Sequence, residues 1–286
     1  MKKSKVMLFG AMALTAGLAL AACGSSQSSN ADKTYSYIFV NNPDTLDYIT
    51  STRDSTSSIT TNLIDGLLEN DQYGNLIPSM AESWTVSKDG LTYTYKIRQG
   101  AKWYTSEGEE YADVTAHDFV TGLKYAADKK AENLYLVQDS IKGLADYVEG
   151  KSSDFATVGV KAVDDYTLQY TLNQPETYWN SKTTASILSP VNEAFLKSKG
   201  DDFGSVTPSS ILSNGPYLFK SFTSKSLIEF DKNPNYWDKD NVKIEKVKLS
   251  FFDGSDQDSI ARGFLDGNYT DGRIFPTSSV FAELKK

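Results

Sequence analysis

The sequence of 286 residues contains a single cysteine and a single histidine. These two counts exclude a disulfide framework, a zinc cluster of Cys and His ligands, and any site that needs two imidazoles. Basic residues are in the minority, with 29 Lys and Arg against 37 Asp and Glu, and the formal net charge is −8. Because a chain of this charge repels polyanions, nucleic acid is not an expected partner.

Apolar and aromatic residues are plentiful, at 40% and 12% of the chain. This content is enough for a packed core and excludes disorder of the whole chain. The length corresponds to about two domains. Segments that alternate like antiparallel strands are interspersed with amphipathic helical segments, which indicates a mixed α/β (α+β) fold rather than a regular βαβ winding.

The amino terminus has the pattern of an export signal. Three lysines, Lys2, Lys3 and Lys5, precede an apolar stretch over residues 6–22. The stretch ends in Leu-Ala-Ala-Cys, which resembles the lipobox of bacterial lipoproteins, and the cysteine is Cys23, the only one in the chain. The alternative is a single signal-anchor helix with a chance cysteine, but the apolar run is short for a bilayer span.

Processing at the lipobox would make residues 1–22 a signal peptide and Cys23 a lipidated amino terminus. Loss of three lysines would move the net charge from −8 to −11. Residues 23–33 are small and polar, so we expect a flexible tether between the lipid and the fold. The expected location is therefore the cell membrane, with the chain lipid-anchored on its extracellular face.

Local patterns predict a series of strands and helices. Residues 84–98 read as a hairpin around the turn at Asp89-Gly90. Thr115 and Asp118 form a capping-box pattern at the start of a helix. Further helices are predicted over about 55–69, before Gly150, over 191–199 and from about Asp258, and further strands over 35–40, 166–172, 217–222, 227–230 and 242–252.

No residue pattern assigns catalytic or metal-binding chemistry. His117 is the only natural general base near neutral pH, but it has no nucleophile motif tied to it, so we expect a structural or solvent-facing role. Residues 149–152 lack the first glycine of a phosphate loop. The acidic residues Asp253, Asp256 and Asp258 do not have the spacing of a calcium loop, and a helix N-cap at Asp258 explains them more simply. We therefore expect no catalytic residue, no metal and no cofactor.

Several segments, spread from about residue 34 to the end of the chain, form a recognisable ordered set: Gly-Leu-Leu-Glu at 66–69, Pro-Ser-Met-Ala-Glu-Ser-Trp at 78–84, residues 89–98 and 101–103, Val-Thr-Ala-His-Asp-Phe-Val at 114–120, Asn-Gly-Pro-Tyr at 214–217 and Asn-Pro-Asn-Tyr-Trp at 233–237. In this order they resemble the signature of the oligopeptide-binding, family 5 extracellular solute-binding proteins of ABC importers. Together with the lipobox, the chain is similar to the peptide-binding lipoproteins of Gram-positive bacteria, of the streptococcal Ali/Ami type.

The resemblance implies a periplasmic-binding-protein-like clamshell of the large three-domain type. Domain I would be discontinuous, over 34–72 and 188–270, with domain II inserted at 73–187. Residues 271–286 would begin the crossover to a third domain, so the resemblance implies an N-terminal portion, truncated before domain III, with impaired binding. The implied function is capture of extended oligopeptides for delivery to a permease, with permease and ATPase subunits as partners.

The resemblance also implies the peptide-binding residues. The loop before the first helix would offer the strand edge that receives the peptide, through Thr52, Arg53, Asp54 and Ser55. Enteric relatives have an acidic residue where this chain has Thr52, so the group that binds the peptide's amine stays open, with Asp54 close by. The crossing segment Arg273, Ile274 and Phe275 would also approach the cleft.

Two other function classes stay open at this stage. A lipid-anchored surface hydrolase would need His117 as its base. A binder of nickel or haem, which occurs among relatives, would want several His or Met ligands, and the chain has one His and four Met.

Overall fold

The computed structural model describes residues 33–272 and 279–281, and all the elements named below lie in the first range. Its strands are β1 Thr34–Phe39, β2 Leu68–Asn70, β3 Leu76–Pro78, β4 Ala81–Val86, β5 Thr92–Ile97, β6 Lys102–Tyr104, β7 Glu110–Asp113, β8 Val160–Asp164, β9 Thr167–Thr171, β10 Tyr217–Thr223, β11 Leu227–Lys232 and β12 Lys246–Phe251. Its α-helices are α1 Asp54–Thr60, α2 Ala116–Lys129, α3 Leu144–Val148, α4 Trp179–Lys182, α5 Glu193–Lys199 and α6 Gln257–Leu265.

The first sheet joins the two ends of the described chain. Its strand order is β1-β12-β11-β10, with β1 parallel to β12 and the other pairs antiparallel. Its strands therefore come from residues 34–39 and 217–251, far apart in sequence. This distribution agrees with the predicted discontinuous domain I, whose boundaries stay a prediction.

The second sheet lies entirely within residues 81–171. Its order is β4-β5-β9-β8, and every neighbouring pair is antiparallel. The predicted hairpin around Gly90 is β4 and β5, and the glycine has φ +73°, a conformation that suits a residue without Cβ. The inner face carries large buried rings, among them Tyr95 and Tyr170, which meet edge to face with centroids 6.2 Å apart.

The predicted capping box is confirmed at the start of α2. Asp118 accepts a hydrogen bond from the backbone N–H of Thr115 at 2.8 Å and another from the indole of Trp103 at 3.1 Å. Burial raises the pKa of Asp118 to about 6. The cap thus also secures α2 to the β6 strand. Among the described helices, none is long and apolar enough to cross a membrane.

The predicted helix over 55–69 is wrong in length, because α1 ends at Thr60 and Leu68 begins a strand. Hydroxyl and amide side chains compete for its carbonyls: Thr60 bonds to Thr56 and Thr61 to Ser57 through their side chains. The apolar stripe is nevertheless real, since Leu63 and Leu67 are fully buried in the core. Strand β12 is likewise shorter than predicted, and the N-cap of α6 is Asp256 rather than Asp258.

One continuous hydrophobic core connects the two sheets. Tyr104 and Ser213 form a two-way backbone bridge at 2.7 and 2.9 Å. Val191 donates its N–H to the carbonyl of Asp118 at 2.9 Å, and a Cβ on Gly122 would lie 2.2 Å from the carbonyl of Ser189. Helix α2 therefore packs closely on the chain that leads back to the first sheet.

Candidate functional site

The predicted peptide-binding loop follows β1 and is held rigidly by one buried carboxylate, that of Asp47. Its Oδ1 accepts the N–H groups of Ile49 and Thr50, both at 3.1 Å. Its Oδ2 accepts the hydroxyl of Thr50 at 2.7 Å and that of Tyr125, on α2, at 2.8 Å. Burial, followed by the charge of Asp47, raises the pKa of Tyr125. The loop is thus fixed to the helix of the second sheet.

A second set of contacts, made by Thr45, Thr56 and Gly204, also holds this loop in place. The hydroxyl of Thr45 donates to the carbonyl of Gly204 at 2.8 Å, and Thr56 donates to the carbonyl of Thr45 at 2.8 Å. Gly204 has φ +73°, and a Cβ there would lie 2.5 Å from the backbone nitrogen of Asp47. Only glycine fits at this position, because both the conformation and the space exclude a side chain.

The four predicted residues 52–55 straddle the start of α1. Thr52 and Arg53 are exposed, Arg53 is the extended N-cap residue, and Asp54 and Ser55 form the first turn of the helix. These residues present a loop and a helix start, and their role in receiving the peptide stays a prediction. Arg53 forms an exposed ion pair with Asp44 at 3.3 Å, a type of contact that contributes little to stability.

Thr52 brings an unexpected acidic partner to the loop. Its hydroxyl donates to Oε2 of Glu132 at 2.9 Å, across 80 positions of sequence. Glu132 begins a 3-10 turn, Glu132–Leu136, just after α2. On the same turn, Tyr135 is 75% exposed and Leu136 is partly exposed. An anionic group and an apolar surface thus stand side by side at the loop.

The local charge at the loop is negative. The carboxylates of Asp44, Asp47, Asp54 and Glu132 lie on or beside it, against the cations of Arg53 and of Lys129, which lines the same pocket as Thr50. An exposed site of this sign attracts a cation such as a peptide's terminal ammonium. Glu132 was missed at the sequence level because nothing near it in the chain marks it. The signal that would find it is its contact with Thr52, which requires the fold.

The remaining predicted site residues lie outside the described residues: Cys23, Arg273, Ile274 and Phe275. The chain just before the last three lies along β1. Thr270 donates its N–H to the carbonyl of Ser36 at 2.8 Å, and its hydroxyl accepts the N–H of Ser36 at 2.9 Å. Because β1 is an edge strand of the first sheet, Thr270 pairs with backbone groups on the side of β1 that no other strand occupies.

His117 lies on the surface, away from the loop. Its imidazole is 61% exposed and sits 3.3 Å from the carboxylate of Asp165. The side chain of His117 therefore faces solvent. Within the ranges 33–272 and 279–281, no group of three or more His, Cys, Asp or Glu side chains is arranged to hold a metal ion.

Comparison with known proteins establishes the family. Residues 75–286 match the family model described as bacterial extracellular solute-binding proteins, family 5 Middle, and the chain belongs to this family. It is 63% identical over 284 residues to the oligopeptide-binding protein AliB of Streptococcus pneumoniae and 58% identical over 287 residues to AmiA of the same species, covering 99% of this chain in both cases.

Solved structures give the same result for the fold. OppA of Listeria monocytogenes, bound to peptide, superposes with a TM-score of 0.75 at 29% identity and covers 83% of this chain. The pheromone receptor PrgZ superposes with a TM-score of 0.78 at 26% identity over 89% of this chain. The predicted fold class, α/β of the periplasmic-binding-protein type, is confirmed.

The chain spans under half the length of these relatives. It covers 43% of AliB, 44% of AmiA, 45% of the Listeria OppA chain and 49% of PrgZ. The described residues thus correspond to part of each relative.

Proposed function

We propose that this chain is part of the substrate-binding component of an ABC importer, which captures extended oligopeptides and delivers them to a permease. The names of its relatives support a peptide ligand: AliB and AmiA are oligopeptide-binding proteins, and the Listeria OppA structure holds a peptide. The single observation in this chain that carries the proposal is the rigid, acidic loop at Thr52 with Glu132 beside it.

In this proposal Glu132 receives the peptide's amino terminus. The Thr52 hydroxyl occupies one lone pair of Oε2, which orients the carboxylate and leaves its other acceptor sites free. An ammonium placed there gains a charge-assisted hydrogen bond. The exposed ring of Tyr135, one turn further on, would contact the first side chain of the peptide. Arg273, Ile274 and Phe275 stay proposed contacts on the basis of the family resemblance alone.

Affinity at this open site should be modest. Because Thr52 and Glu132 are solvated, each hydrogen bond to the peptide backbone nets about 1 kcal/mol or less. Association costs about 4–15 kcal/mol in lost rigid-body freedom. We therefore expect this chain by itself to bind peptides more weakly than micromolar, and micromolar or tighter binding would contradict this estimate.

Amide chemical-shift mapping suits such weak binding. Titration with a mixed peptide library should shift Thr52, Arg53 and Glu132, and the same library with acetylated amino termini should shift them less at equal concentration. Glu132→Gln should abolish this difference between the two libraries, while the matched variant Asp54→Asn should keep it. Equal binding of both libraries by the unaltered chain would refute the role of Glu132, and shifts confined to another surface would refute the site.

We also propose that the protein is lipid-anchored on the extracellular face of the cell membrane through Cys23. The lipobox sequence and the position of the only thiol support this proposal. Cys23→Ala should move the protein from the membrane fraction to the soluble fraction and remove the mass of the lipid. A variant that stays in the membrane with unchanged mass would show that a different segment anchors it.

A further inference from the structure

A lysine-rich groove of about 530 Å³ lies at one end of the first sheet. Lys33, Lys232, Lys239 and Lys243 line it together with two carboxylates, those of Asp240 and Glu245; we call it the basic groove. Lys33 immediately precedes β1, Lys232 ends β11, and Glu245 immediately precedes β12. Since β1 and β12 run parallel and β11 runs antiparallel to them, these residues meet at the same end of the sheet.

The charges in the basic groove do not cancel. One carboxylate, that of Glu245, is shared by Lys33 at 3.5 Å and Lys232 at 3.6 Å. Lys239 and Lys243 are exposed, and in the described part of the chain neither forms an ion pair with a carboxylate. The ammonium of Lys243 donates to a backbone carbonyl instead, that of Asp240. Four cations thus face two anions in a chain whose net charge is −8.

We propose that the basic groove binds the anionic headgroups of the membrane to which the chain is tethered. The proposal rests on the anchor at Cys23 proposed above. Ten residues of chain lead from Cys23 to Lys33, and a segment of this length reaches at most about 35 Å. The tether enters the fold at Lys33, inside the groove, so this is the surface held nearest to the bilayer.

The overall negative charge does not oppose this contact strongly. Salt screens charges beyond about 8 Å at physiological ionic strength. The six residues of β1 separate the groove from the opposite end of the first sheet by roughly 20 Å. At the far end of the sheet Asn42 contacts the β10–β11 turn, through Ser224 and Lys225. Charges at that opposite end of the sheet therefore lie beyond the screening distance of the groove.

Vesicle binding tests the proposal without the anchor. The chain from residue 23 onward, carrying Cys23→Ser, is sedimented at low ionic strength with vesicles that contain phosphatidylglycerol and with vesicles of phosphatidylcholine alone. Each lysine near an anionic surface favours binding about fivefold, so Lys239→Glu with Lys243→Glu should lower partitioning onto the anionic vesicles by at least about 25-fold. The matched pair Lys88→Glu with Lys161→Glu makes the same change in net charge on the second sheet and should retain binding.

Three results would overturn the proposal. Equal binding to phosphatidylcholine would mean that anionic headgroups are not recognised, and an equal loss in the control pair would mean that only net charge matters. Displacement from the vesicles by low concentrations of inorganic phosphate would show a site for free phosphate. The peptide titration, repeated on the Lys239→Glu, Lys243→Glu variant, separates the two proposals. Peptide-induced shifts that stay unchanged while vesicle binding is lost support the groove. If the unaltered chain shows no peptide-induced shifts, that result counts against the peptide function alone.

Discussion

Replacement of the buried Asp65 by asparagine should change how stability depends on pH. Asp65 lies between α1 and β2, and its Oδ2 accepts the hydroxyl of Tyr236 at 2.7 Å and the indole N–H of Trp237 at 3.2 Å. Its backbone exchanges two hydrogen bonds with the side chain of Asn214. Burial raises the pKa of Asp65 from 3.8 to about 6, although the two donors oppose this change.

The sign and the size follow from proton linkage. A carboxyl whose pKa is higher in the folded state binds more protons there between pH 4 and pH 6, so its contribution to stability falls as the pH rises through this window. The difference between 3.8 and about 6 corresponds to roughly 3 kcal/mol at pH 8. The Asp65→Asn variant, which does not titrate, should therefore gain about 2.5 kcal/mol relative to the unaltered chain between pH 4 and pH 8, because about 0.5 kcal/mol of the difference is already present at pH 4.

Chemical denaturation at a series of pH values is the assay, with the exposed Asp139→Asn as the control. The side-chain amide that Asp65→Asn introduces is a new buried donor and can shift the whole curve of the variant, but that offset does not depend on pH. The pKa of Glu69 is also raised, to about 7, first by burial and then by the charge of Asp65. The difference in stability between the variant and the unaltered chain therefore includes the part of this rise that Asp65 causes. A flat difference between variant and unaltered chain, or one of opposite sign, would refute the reasoning.

Three further outcomes are expected. Gly204→Ala should destabilise the fold by about 3 kcal/mol or more in denaturant titrations, whereas Gly74→Ala, also at positive φ but with no atom within 4 Å of its Cβ, should cost only about 1 kcal/mol; equal losses would contradict the packing argument. Thr115→Ala should lower the free energy of unfolding by about 1 kcal/mol, and an unchanged denaturation midpoint would argue against the cap. Residues 73–187 expressed alone should give dispersed amide NMR signals, because the second sheet and α2 lie inside this segment; a collapsed spectrum would show dependence on the chain around Ser189.

Features that depend on neighbours in sequence were predictable. The β4–β5 hairpin follows from alternation over residues 91–98 and a glycine in the turn, and the start of α2 follows from the spacing of Thr115 and Asp118. The extent of α1 was not predictable from its apolar stripe. Leu63 and Leu67 are buried as a helix would bury them, but the serines and threonines before them end the helix early.

The candidate site was predictable only in part, for a related reason. Resemblance indicated the loop at Thr52, but the carboxylate that faces it is 80 positions away. Asp65 and its partner Tyr236 are separated by 171 positions, and neither lies in a pattern that marks a buried acid. Such contacts are set by the tertiary arrangement of segments that are far apart in sequence, which local periodicity does not encode.

The position of Glu132 has a consequence for how the site is built. Thr52 precedes α1 in the segment predicted as domain I, whereas Glu132 follows α2 in the segment predicted as domain II. The Asp47–Tyr125 hydrogen bond ties the same two segments at 2.8 Å. Since α2 carries Tyr125 and leads directly into the turn at Glu132, this bond fixes the carboxylate relative to the loop. An ammonium bound between Thr52 and Glu132 would therefore be recognised by both segments at once, and neither segment alone would retain that site.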